Sequence, residues 1–246
     1  MTIRDAMGGE GVPHWMGTFH GLGARQLRTE PDVAGLRQGF DILDADDSRR
    51  IVKRVMKGMD LHGGDDVPSF GRDPLKAMCN RLSKLKDSLI TPEEAPAHVE
   101  ALIAQQRAAG TLSDPDGWRT TARVYDAYQR TLRDANAADF GDLLLWPTKA
   151  MLRDTAYRER WSGRFDCLLA DEYQDVNQAQ YTWTRLFGAR HGEVFVVGDD
   201  DQSVFVSGAL KLRLYGASRK TFRVPCRSAW KRISARLDIS SRRRTR

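Results

Sequence analysis

Two short apolar runs that end in acidic residues mark the second half of the chain. The first, residues 165–170, is followed by DEYQD at 171–175, and the second, residues 194–197, is followed by GDDDQ. A short apolar run that ends in polar residues is typical of a buried parallel strand. Residues 177–189, between the runs, have apolar side chains at helical spacing, with Asn177 as the candidate cap. The pattern predicts a strand–helix–strand unit with polar groups at the strand ends, where open α/β sheets bind ligands.

Residues 41–136 have apolar positions at the three- and four-residue spacing of helices. Four helices are predicted. The first starts behind candidate caps at residues 46–48, and the second starts at Asp73-Pro74. The third starts with the capping box of residues 91–94, and the fourth follows residues 113–117. The second helix carries four basic residues, which form either a solvated face or a DNA-facing surface: Lys76, Arg81, Lys84 and Lys86. A further apolar helix is predicted over residues 139–152, bent or ended at Pro147.

Residues 15–19 have the pattern of a strand, which would place Thr18, Phe19 and His20 at its carboxyl end. A hydroxyl, an aromatic ring and an imidazole can bind a phosphate and stack on a base. An isolated triplet of this kind is more often a core aromatic residue beside a hydrogen-bonded histidine. The three residues are therefore a candidate DNA contact only if neighbouring motifs support it.

The net charge of +6 is unevenly distributed along the 246 residues. Residues 211–246 contain 13 of the 39 Lys and Arg residues and one acidic residue, Asp238, whereas residues 1–210 contain 26 basic and 32 acidic residues. A basic segment indicates nucleic acid as a partner. Here that indication applies to the C-terminal segment alone.

Composition also limits the class of protein. A hydrophobic content of 41% is sufficient for a globular core. The three cysteines lie far apart and form no CxxC pair, which argues against structural zinc and against a disulfide framework. No apolar run has the length of a membrane span or of a signal peptide. We therefore predict a cytoplasmic protein without membrane association.

An Asp-Glu pair at a strand end has a specific chemistry. Asp171 can hold a phosphate-bound Mg²⁺, because that ion prefers hard oxygen ligands. Glu172 can orient and deprotonate an attacking water, and Gln202, after the second strand, can sense the γ-phosphate. A lone acidic pair after a strand is more often part of a solvated loop, so this assignment depends on the motifs around it.

Four segments resemble motifs of UvrD/Rep-like superfamily 1 DNA helicases. Residues 171–175 (DEYQD) resemble the Walker B element, residues 197–203 (VGDDDQS) motif III, residues 18–22 (TFHGL) the TFHGL motif, and residues 139–144 (DFGDLL) the DFxDLL segment. They occur in the family's order over residues 15–209. The resemblance implies two RecA-like domains with helical insertions, which hydrolyse ATP to move 3′ to 5′ along single-stranded DNA.

On this resemblance the predicted fold class is α/β: a partial RecA-like P-loop NTPase domain with a parallel sheet and a mostly helical insertion of the 1B type. Residues 1–40 and 137–209 are assigned to RecA-like domain 1A, and residues 41–136 to insertion 1B. Residues 210–246 are assigned to a basic tail that is disordered or out of frame.

The resemblance also implies roles for seven residues. Glu172 and Gln202 would be catalytic, and Asp171 and Gln202 would bind the nucleotide, with Asp171 as the Mg²⁺ ligand. The implied cofactors are ATP and Mg²⁺, and the implied partner is single-stranded DNA or a single-strand/duplex junction during DNA repair. Four residues would contact that DNA: Thr18, Phe19, His20 and Phe205.

The sequence departs from the family pattern in two places. It contains no GxxxxGK[ST] loop, whose backbone amides and Lys cradle the phosphates. We therefore expect the chain to begin after that loop and to be inactive alone. A separate chain is one candidate source of the loop and of the second RecA-like domain. The segment 205–209 is one residue shorter than the family's and lacks its second aromatic residue and its Arg, which are implied to stack on bases and to approach the γ-phosphate.

No helicase motif follows Leu210. The last 36 residues are either a basic tail that binds phosphates or an out-of-frame translation of helicase-coding DNA. The alternative function for the whole chain is a non-enzymatic helicase remnant that at most binds DNA or a protein partner.

Overall fold

The structure of the chain, a computed structural model, describes residues 15–59, 61, 73–190 and 194–196. The described part is mostly helical, with two pairs of short parallel strands, and this mixture agrees with the predicted α/β class. The helices are α1 (Phe19–Thr29), α2 (Ala45–Gly58), α3 (Pro74–Asp87), α4 (Ala95–Ala108), α5 (Pro115–Asp134), α6 (Asp142–Arg153), α7 (Thr155–Ser162) and α8 (Gln178–Gly188). The strands are β1 (Asp41–Ile42), β2 (Ala137–Ala138), β3 (Leu168–Ala170) and β4 (Val194–Val196). Two short 3₁₀ helices cover Pro31–Ala34 and Tyr173–Asp175.

The described residues form two compact units, and each is described by itself. The larger unit contains residues 19–59, 61, 73–158 and 176–186. The smaller unit contains residues 15–18, 159–175, 187–190 and 194–196.

The core of the larger unit lies among helices α2, α3, α4 and α5, all four of which the apolar spacing predicts. Full burial of one Leu, Ile or Val side chain stabilises a fold by about 1.5–3 kcal/mol, so this cluster is the main source of the unit's stability. The buried side chains are Val52, Met56, Met78, Leu82, Leu85, Val99, Ile103, Val124, Tyr125, Tyr128 and Leu132.

Local capping signals set the starts of these helices. Asp73 caps α3 at the predicted start and accepts the backbone N–H of Lys76 at 2.9 Å. Helix α5 starts at Pro115, earlier than predicted, because Asp114 caps it and accepts the backbone N–H of Gly117 at 3.1 Å. The predicted cap of α2 is wrong, because Asp44 accepts the N–H of Asp47 at 2.8 Å and the helix starts one residue later. Asp46 and Asp47 instead lie in the first turn, where the helix dipole favours acidic side chains.

A parallel strand pair joins the two ends of the helical segment. Asp41 lies opposite Ala137 in the register of β1 and β2, and the N–H of Leu43 donates to the carbonyl of Ala138 at 2.9 Å. The prediction that residues 41–136 are helical throughout is therefore wrong at its start. A strand of two residues has no alternation that a sequence pattern could reveal.

The prediction of a strand over residues 15–19 is also wrong. Helix α1 starts at Phe19, and its buried positions Gly23, Gln26 and Leu27 continue the helical period beyond the window that resembled a strand. A side chain at Gly23 would place its Cβ 2.3 Å from the carbonyl oxygen of Leu143 in α6. The absence of a side chain thus allows α1 to pack directly on the backbone of α6.

Helix α6 starts three residues later than predicted, and Pro147 does not end it. The helix continues to Arg153, and residues on both sides of the proline are buried, among them Leu145, Trp146 and Met151. Packing on this scale offsets the hydrogen bond that a proline inside a helix removes.

The smaller unit contains the predicted parallel strand pair. Leu168 lies opposite Val194, and Ala170 lies opposite Val196. The expectation of full burial is wrong for β3, because the Leu169 side chain is 59% exposed. Four aromatic residues of the smaller unit form a cluster in which neighbouring ring centroids are 5.5–6.4 Å apart: Trp15, Trp161, Phe165 and Phe187.

Asn177 caps α8 as predicted. Its side-chain oxygen accepts the N–H of Gln180 at 2.9 Å, and the Gln180 side chain accepts the N–H of Asn177 at 2.9 Å. This reciprocal capping box satisfies two backbone donors at the helix start. Among the described helices, none combines the length and the apolar character needed to cross a membrane.

Candidate functional site

The predicted nucleotide-binding carboxylates directly follow β3. Residues 171–175, here termed the Asp171 turn, begin with two exposed residues, Asp171 and Glu172. The Asp171 carboxylate accepts the backbone N–H of Glu172 at 3.0 Å, which fixes the side chain's orientation. Because β3 and β4 are parallel and end opposite each other, their carboxyl ends share one edge. The structure thus places both carboxylates at the edge where the sequence predicts a ligand.

Glu172 has a backbone conformation that is rare for its residue type. Its φ of 53° lies in the left-handed region, where a residue with a Cβ is less stable by about 1–2 kcal/mol. The N–H of Asp175 donates to the Glu172 carbonyl at 3.1 Å, and the Tyr173 side chain is buried, so the surrounding turn maintains this conformation. Such strain is concentrated at functional sites in proteins, which makes Glu172 a candidate for a direct role.

The Asp171 turn suits a divalent cation that takes only one or two of its ligands from the protein. Among the described residues, no group of three or more His, Cys, Asp and Glu side chains is arranged to bind a metal. Mg²⁺ is usually bound by one or two carboxylates together with substrate phosphates and waters. The exposed Asp171 carboxylate fits that mode, and a cage of protein ligands is not required.

The three predicted DNA contacts of the TFHGL motif have different environments. Thr18 is exposed and immediately precedes α1. Phe19 is half-buried, and its ring lies edge-to-face with Trp183 at 6.0 Å. His20 is half-buried, and burial lowers its pKa below the usual value, so its imidazole is neutral at neutral pH. Phe19 therefore has a packing role in addition to its predicted one.

Phe140 is a candidate DNA contact that the sequence reasoning missed. It lies in the DFGDLL segment, its side chain is 56% exposed, and its ring centroid is 5.4 Å from that of His20. We refer to these two rings as the Phe140–His20 pair. An exposed Phe beside an imidazole is a suitable surface for base stacking. The signal in the sequence is a Phe between two acidic residues at a helix start, where a core position is not expected.

Of the two acidic residues in the same segment, Asp142 is buried and Asp139 is half-buried. In the Asp139 turn, residues 139–142, the Asp139 carboxylate accepts the backbone N–H of Asp142 at 3.0 Å, and the Asp142 carboxylate accepts the backbone N–H of Asp139 at 3.2 Å. The ammonium group of Lys86, from α3, donates to Asp139 at 2.6 Å and to Asp142 at 2.9 Å. The prediction of a solvated or DNA-facing surface is therefore wrong for Lys86, which is 3% exposed.

Burial and mutual interaction shift the pKa values of this cluster. Burial would lower the pKa of Lys86, but the charges of Asp139 and Asp142 outweigh it and raise that pKa above its usual value. Burial and the Asp139 charge raise the pKa of Asp142 to about 6. Burial would also raise the pKa of Asp139, but Lys86 holds it below its usual value. At pH 7 the cluster thus contains two carboxylates and one ammonium group.

The chain matches one known protein family over most of its length. The sequence model of the UvrD/REP helicase N-terminal domain matches residues 2–208. The chain belongs to this family. The mixed helices and parallel strands are those expected of a UvrD/REP helicase N-terminal domain.

The chain is similar to several named members of the UvrD/REP family. It is 35% identical over 203 residues to DNA helicase II of Salmonella typhimurium, a match that covers 82% of this chain and 25% of the relative. It is 37% identical over 208 residues to ATP-dependent DNA helicase UvrD1 of Mycobacterium tuberculosis, covering 81% and 24%. It is 31% identical over 203 residues to ATP-dependent DNA helicase PcrA of Staphylococcus epidermidis, covering 82% and 25%. The chain thus spans about a quarter of the length of these relatives.

The family match includes all seven residues with predicted roles. Two of them, Gln202 and Phe205, lie outside the described residues, as does the predicted motif III segment. Residues 210–246 also lie outside the described part, and the match to the UvrD/REP family ends at residue 208.

Proposed function

We propose that this chain provides the catalytic carboxylates and part of the single-stranded DNA contact of an ATP-dependent 3′-to-5′ DNA helicase that acts in DNA repair. The observation that carries this proposal is the exposed pair Asp171 and Glu172 at the carboxyl end of β3. The relatives are named as DNA helicases, two of them as ATP-dependent.

In this proposal β3 and β4 belong to the parallel sheet of a RecA-like domain, and α2 to α5 form a helical insertion of the 1B type. The β1–β2 pair supports the second assignment, because it brings the two ends of the helical segment together. A segment with adjacent ends can be inserted into a domain without disturbing that domain's sheet.

Asp171 would hold the Mg²⁺ of a bound Mg²⁺–ATP. The amide hydrogen bond from Glu172 keeps the Asp171 carboxylate oriented at the strand end. When bound, Mg²⁺ neutralises negative charge on the phosphate oxygens. Removal of this carboxylate is therefore expected to weaken nucleotide binding itself.

Glu172 would be the general base for hydrolysis. A carboxylate at this position accepts the proton of the attacking water as the water forms its bond to phosphorus, and the leaving diphosphate takes the negative charge of the broken bond. Gln202 would orient towards the γ-phosphate. The left-handed backbone of Glu172 sets the direction in which its side chain leaves the Asp171 turn, which supports a role that depends on position.

Single-stranded DNA would bind at the Phe140–His20 pair of the larger unit. Thr18, Phe19 and Phe205 would be the further DNA contacts that the family resemblance implies. The exposed Phe140 ring would stack on a base, and stacking of this kind contributes about 1–3 kcal/mol per base. The Thr18 hydroxyl would bind a phosphate. A neutral His20 adds an aromatic surface rather than a charge.

A second candidate function is DNA binding without hydrolysis. The observation that favours it is the exposed Phe140 ring beside His20, which can stack on a base without a nucleotide. The substrate would remain single-stranded DNA or a single-strand/duplex junction.

Two measurements on the 246-residue chain separate these candidates. The first is the affinity for oligo(dT) by fluorescence anisotropy, and the second is DNA-stimulated ATP hydrolysis. We expect binding that weakens with salt. DNA-stimulated turnover that Glu172→Gln abolishes would support the first candidate and exclude the second. A chain that binds no single-stranded DNA would contradict both.

A further inference from the structure

A buried charge network lies beside the exposed Phe140. We define the Lys86 network as the Lys86 ammonium group, the Asp139 and Asp142 carboxylates and the three neutral side chains that donate to them. The side chains of Lys86 and Asp142 are 2% and 1% exposed. A lysine and two aspartates at this depth are unusual, because burial of a charge is unfavourable unless the charge is paired and hydrogen-bonded.

The network satisfies the carboxylates with directional bonds from four elements. The Tyr128 hydroxyl donates to Asp139 at 2.8 Å, and the Gln129 amide donates to Asp142 at 3.0 Å, both from α5. The Trp146 indole N–H donates to Asp142 at 3.1 Å from α6. With Lys86 from α3 and the turn's own amides, these donors leave the two carboxylates little freedom to move.

The stem of Lys86 also contacts the turn itself. A Cβ added to Gly141 would lie 2.7 Å from Cδ of Lys86 and 3.1 Å from its Cβ. The aliphatic part of Lys86 therefore occupies the space beside the Gly141 backbone, while its ammonium group binds the aspartates on either side of Phe140 and Gly141. The residue that determines the course of this turn lies more than 50 residues earlier in the sequence.

Stability alone does not account for such an arrangement. Replacement of a buried ion pair by apolar residues of similar volume is often neutral or stabilising. Apolar contacts are not directional, however, and would allow the turn to shift relative to α1. Phe140 is exposed, so its own packing does not hold it against His20, and the turn must do so.

We propose that Lys86 is a positioning residue for DNA binding: its bonds to Asp139 and Asp142 hold the Asp139 turn so that Phe140 stays exposed beside His20. The DNA-binding part of this inference rests on the proposed function. Lys86 itself is buried and does not touch DNA. Its effect on affinity is exerted only through Phe140.

The test uses the full 246-residue chain and three variants. Lys86→Arg keeps the charge but changes its geometry. The triple variant Lys86→Met, Asp139→Asn, Asp142→Asn removes all three charges, so that it leaves no unpaired buried charge and folds even if Lys86→Met alone does not. Lys84→Met is the matched control, because Lys84 is an exposed lysine on the same helix. Circular dichroism establishes which variants are folded.

The first readout needs no DNA. A nuclear Overhauser effect between the rings of His20 and Phe140 is expected in the wild type and in Lys84→Met. It is expected to be lost or strongly reduced in folded Lys86→Arg and in the triple variant. A His20–Phe140 signal that persists in both would overturn the positioning role.

The second readout is oligo(dT) affinity. We expect the triple variant to lose as much affinity as Phe140→Ala, about 5- to 150-fold, which corresponds to the stacking of one base. Addition of Phe140→Ala to the triple variant should cause no further loss. Unchanged affinity despite a lost ring signal would overturn the link to DNA. If the wild type does not bind oligo(dT), the proposed function fails, and the ring signal alone decides whether Lys86 positions Phe140.

Discussion

Two turns of this chain carry similar groups in opposite environments. The Asp139 turn and the Asp171 turn each follow a short parallel strand and carry acidic side chains. In the Asp139 turn Lys86 binds both carboxylates, of which Asp142 is buried and Asp139 half-buried. In the Asp171 turn all three acidic residues, Asp171, Glu172 and Asp175, are exposed.

On the proposed function, solvation and partners, rather than residue type, separate the structural carboxylates of the Asp139 turn from the catalytic ones of the Asp171 turn. The oxygens of the Asp139 turn are occupied by Lys86 and by neutral donors, so they are not available to a metal ion or a water. The exposed carboxylate of Asp171 is accessible to a ligand from solvent. Position after a strand therefore identifies candidate residues, and burial decides between the two roles.

The largest expected effect is on stability and comes from Lys86→Met. The substitution leaves two buried carboxylates without their cation, which should reduce the free energy of unfolding by about 3–5 kcal/mol. Urea denaturation at pH 7.5 measures this loss in the free energy of unfolding. The matched Lys84→Met should change stability by less than about 0.5 kcal/mol. A Lys86→Met effect as small as that of Lys84→Met would remove the distinction between the two turns.

The pH dependence of stability should come from the buried turn. Asp142 has a pKa of about 6 in the folded protein, above its usual value of 3.8. Between pH 3.8 and about pH 6, the Asp142 carboxylate therefore binds a proton when the chain folds. Its contribution is present in full below the unfolded pKa and is lost as pH rises through about 6. The stability of the wild type relative to Asp142→Asn should therefore increase from pH 8 to pH 5, by about 1–2 kcal/mol. A constant difference, or one that decreases towards pH 5, would contradict the assignment.

A smaller effect of opposite sign is expected in the Asp171 turn. Glu172→Gly removes the Cβ from a left-handed residue, and this gain exceeds the larger conformational entropy of glycine in the unfolded chain. The protein should become more stable by about 0.5–1 kcal/mol in urea denaturation. Glu172→Gln keeps the Cβ and is the control, with no change expected. Destabilisation by Glu172→Gly would show that the turn does not store strain at this residue.

The elements that the sequence predicted correctly depend on local signals. The caps Asp73 and Asn177 each bond to a backbone N–H three residues away, and the apolar stripes of α2 to α5 repeat within one helix. The parallel pairing of β3 and β4 was predicted from two apolar runs of strand length. Each of these signals is complete within a short window of sequence.

The features that the sequence did not predict depend on distant partners. The β1–β2 pair joins residues about 95 positions apart, and a two-residue strand has no period. The burial of Lys86 depends on Asp139 and Asp142, 53 and 56 residues later. Phe140 is exposed because its neighbours in the turn point inwards to Lys86. No pattern local to the DFGDLL segment distinguishes its aspartates from those of DEYQD.

The most direct test of the account is hydrolysis in a protein that contains the whole site. Residues 15–203 of this chain can replace the matching segment of Mycobacterium tuberculosis UvrD1, which supplies the remaining length. In this chimaera Glu172→Gln should lower DNA-stimulated ATP hydrolysis by about 10²- to 10⁴-fold while nucleotide affinity is retained, and Asp171→Ala should weaken Mg²⁺–ATP binding. Undiminished turnover in Glu172→Gln, or equal loss of nucleotide binding in both variants, would contradict the catalytic role of the Asp171 turn.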